Sequence, residues 1–301
     1  MRRAVYIGSD GGRPSLTMDA NLHQIPPHGV STIHRHSWNA MLFVTEGSGW
    51  TEIDGHRIDW NRWDSIHIPS WSWHRHGTDS DNLAQLLSVS SQPIVEALGL
   101  AVVQDRGDED VANLEARPTS AGSPSGENPD SHRLRRLLSR DAETRTAALH
   151  RPYEGLEFKK TVKGTESAFL IDQAIGFRTS GLSQVMKIFP PATAQSNHAH
   201  PGEAFLYIVE GRGHTYVGES PAGGVDHEWV SGDLVRVNNY CWHQHWNDDP
   251  DRPARMLRLH MFDSLQSIMY ALASPLVLEH EPSRPPKLSG GTAREPAARR
   301  R

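Results

Sequence analysis

Residues 34–49 read HRHSWNAMLFVTEGSG, and residues 198–213 read HAHPGEAFLYIVEGRG. In both, a His-x-His pair is followed, ten residues after its second histidine, by a Glu-Gly (Glu46-Gly47, Glu210-Gly211), with an apolar run between. Farther on, Trp63-Asp64 leads to Trp73-His74-Arg75-His76, and Gly232-Asp233 leads to Trp242-His243-Gln244-His245, with ten residues from aspartate to the first histidine each time. The offset between copies is 164 at the His-x-His pair (198 − 34) and 169 at the later histidine (243 − 74). The five extra residues fall in the Ser220–Gly224 loop, where insertion costs little. Four landmarks aligned with one loop-sized slip identify a tandem duplication.

Each copy reads as short strands separated by turns. In the first, strands are expected at Ser31–His36, Met41–Thr45, Trp50–Ile53, Ile66–Ile68 and Leu83–Val89, with a hairpin at Asp54-Gly55. Many short strands at this spacing predict an all-β chain of two jelly-roll barrels. The expected layout is an N-terminal domain over 1–100, a connecting segment over 101–150, a C-terminal domain over 151–280 and a disordered tail over 281–301. Within the connection, residues 104–130 are rich in Asp, Glu, Ser, Gly and Pro and predict a flexible linker. Leu134, Leu137, Leu138 and Ala147 among charges predict a helix over Ser131–Ala148, and a short C-terminal helix is expected over 264–278.

Composition narrows the class. The 301 residues suffice for two cores. No run of eighteen apolar residues is present, so no membrane helix is expected, and the start MRRAVYIGSDGG lacks the apolar stretch of a secretory signal. The single cysteine, Cys241, excludes an intrachain disulfide and fits a reducing cytoplasm. A net charge of −5 gives no electrostatic case for nucleic acid.

The eighteen histidines are the chemical signal because they pair at spacing two. On a strand, residues i and i+2 share a face, so His34 and His36 present their imidazoles to one point. His74 is the third ligand candidate, because its counterpart His243 recurs with the second pair, His198 and His200. Neutral imidazole suits Fe, Zn, Ni and Cu, and a facial set of three leaves coordination positions open. Trp38, by alternation from His36, is expected to wall an aromatic pocket. Asp64 and Asp233 are expected to serve turns, and Cys241 to be a small buried side chain.

The pattern Gly29-(x)4-His34-x-His36…Gly49, then Pro69-(x)4-His74, resembles the two cupin motifs and repeats at 198–213 and 232–243. The resemblance covers about 31–90 and 185–262. It implies two tandem cupin (double-stranded β-helix) barrels. Within cupins, the stretches HRH, FVTEGSGWTEIDG and IPSWSWHRHG are similar to gentisate and salicylate 1,2-dioxygenases. That similarity implies Fe(II) as the metal, with Zn, Ni, Mn or Cu as alternatives. It implies a phenolic aromatic substrate and dioxygen as partners, ring cleavage as the reaction, and His34, His36 and His74 as ligands. His76 is implied beside the metal as the proton-moving or substrate-orienting residue, and Trp38, Leu42 and Trp73 as substrate contacts. Many cupins carry a glutamate ligand four residues after the second histidine; Ala40 and Ala204 stand there, so three histidines are expected. Glu203 is a further ligand candidate if Pro201-Gly202 shifts the register. Gentisate-type enzymes carry an arginine where this chain has Leu42, which leaves Arg35 and Arg75 as nearby groups for a carboxylate. Catalysis is expected in the N-terminal barrel, which holds six of the nine tryptophans. Cupins often associate, so a homo-oligomer is expected. The competing readings are another cupin enzyme, such as an isomerase or a β-diketone dioxygenase, and a non-catalytic binding bicupin.

Overall fold

The computed structural model describes residues 1–8, 11–114, 126–261 and 278–279. The expected C-terminal helix over 264–278 and the tail after 281 lie almost wholly outside the described residues.

The first half runs β1 (Arg2–Ile7), β2 (Asp19–Ile25), β3 (His34–His36), β4 (Ala40–Glu46), β5 (Gly49–Ile53), β6 (His56–Trp60), β7 (Ser65–Ile68), β8 (His74–Gly77) and β9 (Ala84–Ser90). A short helix, α1 (Gln92–Ala97), and β10 (Val103–Asp105) follow. Helix α2 (Pro129–Arg145) starts where Asn128 Oδ1 accepts from Ser131 N and Pro129 opens the first turn. The second half runs β11 (His150–Arg151), β12 (Lys159–Lys160), β13 (Glu166–Ile171), β14 (Ser183–Phe189), β15 (His198–Ala199), β16 (Ala204–Glu210), β17 (Arg212–Gly218) and β18 (Gly224–Val230). It closes with β19 (Leu234–Val237), β20 (Trp242–Asn247), β21 (Ala254–His260) and β22 (Leu278–Glu279).

The topology repeats with the sequence. The first half pairs β1-β2-β9-β4-β7-β11 in one sheet and β10-β3-β8-β5-β6 in the other. The second half pairs β12-β13-β14-β21-β16-β19 and β18-β17-β20-β15-β22. Two sheets per half, all neighbours antiparallel, make two jelly-roll barrels. Asp54 and Gly55 both take positive φ (47° and 84°) in the expected hairpin. The start of the stretch expected as linker is ordered instead: β10 pairs Val103–Asp105 with His36–His34, so this segment edges the sheet that carries the histidines.

The glycines of the repeated Glu-Gly-x-Gly have separate jobs. Gly47 and Gly211 sit at φ +76° and +104°, in the left-handed region. A Cβ on Gly49 or Gly213 would stand 2.5 Å from the ring of Trp60 or Trp229, so these two glycines let the indoles reach inward. Inside the first barrel, Ile25, Val44, Trp60, Ala84 and Leu86 form an apolar floor; Phe189, Ile208, Trp229, Ala254 and Met256 form its counterpart.

The halves meet through the outer faces of their six-stranded sheets. Met41, Phe43, Leu87 and Val89 of the first half join Phe205, Tyr207, Leu257 and Leu259 of the second in one continuous buried cluster. Alternation along β4 and β16 therefore buries both faces of these strands, one in its own barrel and one in the partner half. Two reciprocal loop contacts flank this core. Glu203 Oε2 accepts from Ser15 Oγ, Thr17 Oγ1 and the backbone N–H groups of Leu16 and Thr17. Asn39, its counterpart in the first half, donates to Ser180 Oγ of the second.

Candidate metal centres

The pairing register brings the histidines together. His34 lies directly opposite His74 on β8, and His198 opposite His243 on β20. Alternation adds His36 and His200, and one nitrogen from each member of either trio lies within 4.8 Å of the others. The rings sit alike in the two halves: centroids are 4.3 Å apart for His34–His74 and 4.2 Å for His198–His243.

Second contacts fix which nitrogen faces inward. Nδ1 of His34, His36 and His74 lies 3.0, 2.8 and 2.8 Å from the carbonyls of Thr32, Trp38 and Ser72. Nδ1 of His198, His200 and His243 lies 3.0, 3.1 and 2.9 Å from those of Ser196, Pro201 and Cys241. A carbonyl only accepts, so each Nδ1 carries the hydrogen and each Nε2 keeps its lone pair. Burial, the largest influence, holds His36 and His200 down to about 4 and His243 to about 3. His74 and His198 are also pushed far below the ordinary histidine value by burial. Three imidazoles turned to one point, with no carboxylate among them, are a donor set that fits a divalent transition metal.

His76 and His245 have the opposite tautomer. Trp60 Nε1, a donor only, donates to Thr51 Oγ1 at 3.0 Å, and Thr51 Oγ1 lies 2.9 Å from His76 Nδ1. The buried threonine's hydrogen has that nitrogen as its acceptor, so His76 Nδ1 accepts and the proton resides on Nε2. Trp229, Thr215 and His245 repeat the chain at 3.1 and 2.9 Å. Each barrel thus holds three lone-pair histidines and, beside the third, one N–H donor; the His74–His76 and His243–His245 centroids are 5.6 and 5.4 Å apart.

Other expected residues divide. Trp38 stacks on His36, with centroids 4.6 Å apart and planes 4° from parallel. Leu42 is buried in the barrel's apolar cluster. Trp73 is a correction: its ring packs against the Arg35 guanidinium, 4.3 Å from the centroid, and alternation puts Arg35 on the face opposite His34 and His36. Arg35 is further held by Gln104, and Arg75 by Glu52, so neither turns toward the histidines. Glu203 is also no ligand: the donors of residues 15–17 and an ion pair with Arg236 occupy its carboxylate. Asp64 and Asp233 do cap turns, accepting from Asn61 N and Val230 N. Cys241 is half-buried and free.

A cavity of about 370 Å³ opens on His198, His200 and His243. His245, Lys163, Lys187, Arg258 and His260 also line it. The ladders align Lys187, Arg258 and His260 with His23, Ser88 and Ser90 of the first half. Sequence reading missed these residues because they lie outside the repeated motifs. The alternation in Met256-Leu-Arg258-Leu-His260 was their one signal, since it turns Arg258 and His260 away from the leucines.

Comparison with known proteins follows this geometry. The cupin domain model matches residues 21–90 and 185–260. Both halves are cupin domains. The bicupin is 25% identical over 236 residues to a 5-aminosalicylate 1,2-dioxygenase of Comamonas sp., covering 72% of this chain and 59% of that protein. It is 24% identical over 278 residues to a 1-hydroxy-2-naphthoate 1,2-dioxygenase of Nocardioides sp. strain KP7, covering 85% and 66%. The chain thus spans less than two thirds of these relatives' lengths. Among solved structures, the salicylate 1,2-dioxygenase of Pseudaminobacter salicylatoxidans superposes with a TM-score of 0.64 at 19% identity, over 92% of this chain and 80% of that one. No helix among the described residues is long and apolar enough to cross a membrane.

Proposed function

We propose that this bicupin is a non-haem Fe(II) dioxygenase that opens a hydroxylated aromatic ring, with His34, His36 and His74 as its iron ligands. The observation that carries the reading is geometric: His34, His36 and His74 turn to one point with each Nδ1 on a backbone carbonyl, and His76 stands beside them with its Nδ1 on Thr51 Oγ1. When bound, iron supplies open coordination positions and the redox chemistry that ring oxidation requires. Around it the chain binds and orients. Trp38, flat on His36, offers an aromatic wall against which a planar substrate stacks. His76 holds a proton on Nε2 and donates it to an oxygen of the substrate, with Thr51 and Trp60 fixing the ring so that this donor is always presented. The buried floor beneath excludes water from that side. Support comes from the relatives, named as 1,2-dioxygenases of aminosalicylate and hydroxynaphthoate, and from the similar fold of a salicylate 1,2-dioxygenase.

The test is oxygen uptake by anaerobically reconstituted protein against a panel of hydroxylated aromatics, with product mass. Uptake with two oxygen atoms gained in a ring-opened acid is the expected result. The paired change His34→Ala/His74→Ala should abolish it, while His198→Ala/His243→Ala should leave a substantial fraction in a folded protein. The reverse pattern moves the ring chemistry to the C-terminal barrel. No uptake by iron-loaded protein across the panel sinks the dioxygenase reading.

A further inference from the structure

The second histidine cluster has a neighbour that the first lacks. His260, on β21, lines the same cavity as His198, His200 and His243. Its ring centroid lies 5.0 Å from that of His200, with the planes at 87°. His200 and His243 stand to each other in nearly the same way, at 4.9 Å and 86°. The backbone contacts agree with this placement. His200 Nδ1 lies 3.1 Å from the Pro201 carbonyl, and the His260 ring hydrogen-bonds to Pro201 as well. Across the ladders His260 is opposite Ser183 and Ala204. Ala204 has no side chain beyond Cβ and also lines the cavity, so an imidazole has room to lean over it toward the trio.

The first half offers no equivalent. Ser90 holds the matching position, opposite Asp19 and Ala40. Its Oγ donates to Asp19 Oδ1 at 2.6 Å, so this short side chain is already turned to a carboxylate. The first cluster therefore has three imidazoles where the second has a fourth at its edge.

We propose that His260 is a fourth imidazole ligand of the C-terminal centre, so that one chain carries two unlike metal sites, three-histidine in the first barrel and four-histidine in the second. The nitrogens of His198, His200 and His243 already converge within 4.8 Å. His260 stands against His200 and closes on the ion through the cavity that all four line. Three protein ligands leave a position open to an outside molecule, whereas four complete a tetrahedral ion. The C-terminal ion is thereby held more tightly than the N-terminal one and offers less to an outside ligand. The assignment rests on both trios holding metal, and not on the ring-opening chemistry.

Full-length protein loaded with Co(II) tests it. In His34→Ala/His74→Ala the ion occupies the C-terminal barrel alone, and in His198→Ala/His243→Ala the N-terminal barrel alone. Each neutral imidazole on Co(II) contributes one hyperfine-shifted, exchangeable N–H proton resonance. Four are expected from the C-terminal ion and three from the N-terminal ion, a comparison that leaves His260 untouched. The C-terminal ion should show the intense visible bands of tetrahedral Co(II), unmoved by azide, while azide should shift the N-terminal spectrum. His260→Phe keeps an aromatic ring in the cavity. In the His34→Ala/His74→Ala background it should reduce the four resonances to three, make the bands sensitive to azide and weaken Co(II) binding by about tenfold or more. Three resonances from the C-terminal ion before that change, or four that persist after it, overturn the proposal. A C-terminal barrel that takes up no Co(II) overturns it together with the metal centre there. The expected resonances without any oxygen uptake would fault the dioxygenase reading alone.

Discussion

Replacing Thr51 with valine tests the hydrogen-bond chain beneath the first histidine cluster. Valine has nearly the shape of threonine, so no cavity opens, and its β-propensity is at least as good. What disappears is one hydroxyl serving two buried groups: the Trp60 indole N–H at 3.0 Å and His76 Nδ1 at 2.9 Å. Thr51, Trp60 and His76 are at most 3% exposed, so water does not replace the lost partner. Each stranded polar group costs about 1–3 kcal/mol, which places the loss at about 2–6 kcal/mol, a large share of a typical domain's stability. Urea unfolding of Thr51→Val against wild type measures it. Thr215→Val is the built-in replicate, because Trp229 and His245 make the same bonds at 3.1 and 2.9 Å. A loss under about 1 kcal/mol in both variants would refute the accounting for buried unsatisfied groups. Nitrogen-15 shifts should also report the Nε2–H form for His76 and His245 and the Nδ1–H form for the six clustered histidines. A mixed tautomer at His76 in the wild type would refute its role as a fixed donor.

Further outcomes follow from the same contacts. Glu203→Ala should accelerate hydrogen exchange at the Leu16 and Thr17 amides, which donate to that carboxylate, while leaving metal content unchanged; metal loss with unaltered exchange would restore Glu203 as a ligand. Elemental analysis after Fe(II) reconstitution should give two metals per chain in the wild type and one in His198→Ala/His243→Ala; no bound metal in the wild type would refute both trihistidine sites. The metal-free protein should be acid-sensitive. Burial holds His36 near about 4 and His67 and His243 near about 3 in the folded chain, below the unfolded value of 6.5. Their neutral forms cost nothing above that value, and stability is lost as pH falls from 6.5 toward 4, because only the unfolded chain takes up the protons. Three such groups amount to about 4 kcal/mol per pH unit in that window. Circular dichroism of chelated protein should show Tm falling steeply from pH 6 to 5; a flat profile refutes the burial argument.

The sequence showed its duplication and its histidine trios because both are short-range patterns, a spacing of two and a fixed ten-residue interval. Strand alternation then sufficed to place His34, His36 and their counterparts on one face. Strands β1 and β2 went unread: Asp19-Ala-Asn-Leu-His-Gln-Ile25 mixes polar and apolar residues because its barrel face carries His23 and Asn21. Trp73 was misplaced for a related reason. Its position next to His74 in sequence puts it on the opposite face of the sheet, where Arg35 takes the ring. The donors to Glu203 and the lining of the second cavity needed three-dimensional pairing, since Ser15–Thr17, Lys187 and Arg258 are far apart along the chain. Trp60 and Trp229 read as core aromatics; only the structure showed each indole N–H terminating a relay.

The shared sheet interface has left its mark on how the two copies have drifted apart. On the back faces the paired positions are Met41 and Phe205, Phe43 and Tyr207, Leu87 and Leu257, Val89 and Leu259, every one still large and mostly apolar. On the barrel side, the same sheets have His23 in one copy where the other has Lys187, and Ser88 where the other has Arg258. Neither copy is a free-standing module: a lone half would turn a strip of aromatic and aliphatic surface to water and adhere to whatever it met. The seam therefore behaves as a hinge pin for divergence. It binds the two copies to one another's company, and in doing so leaves each barrel mouth at liberty to acquire a different guest.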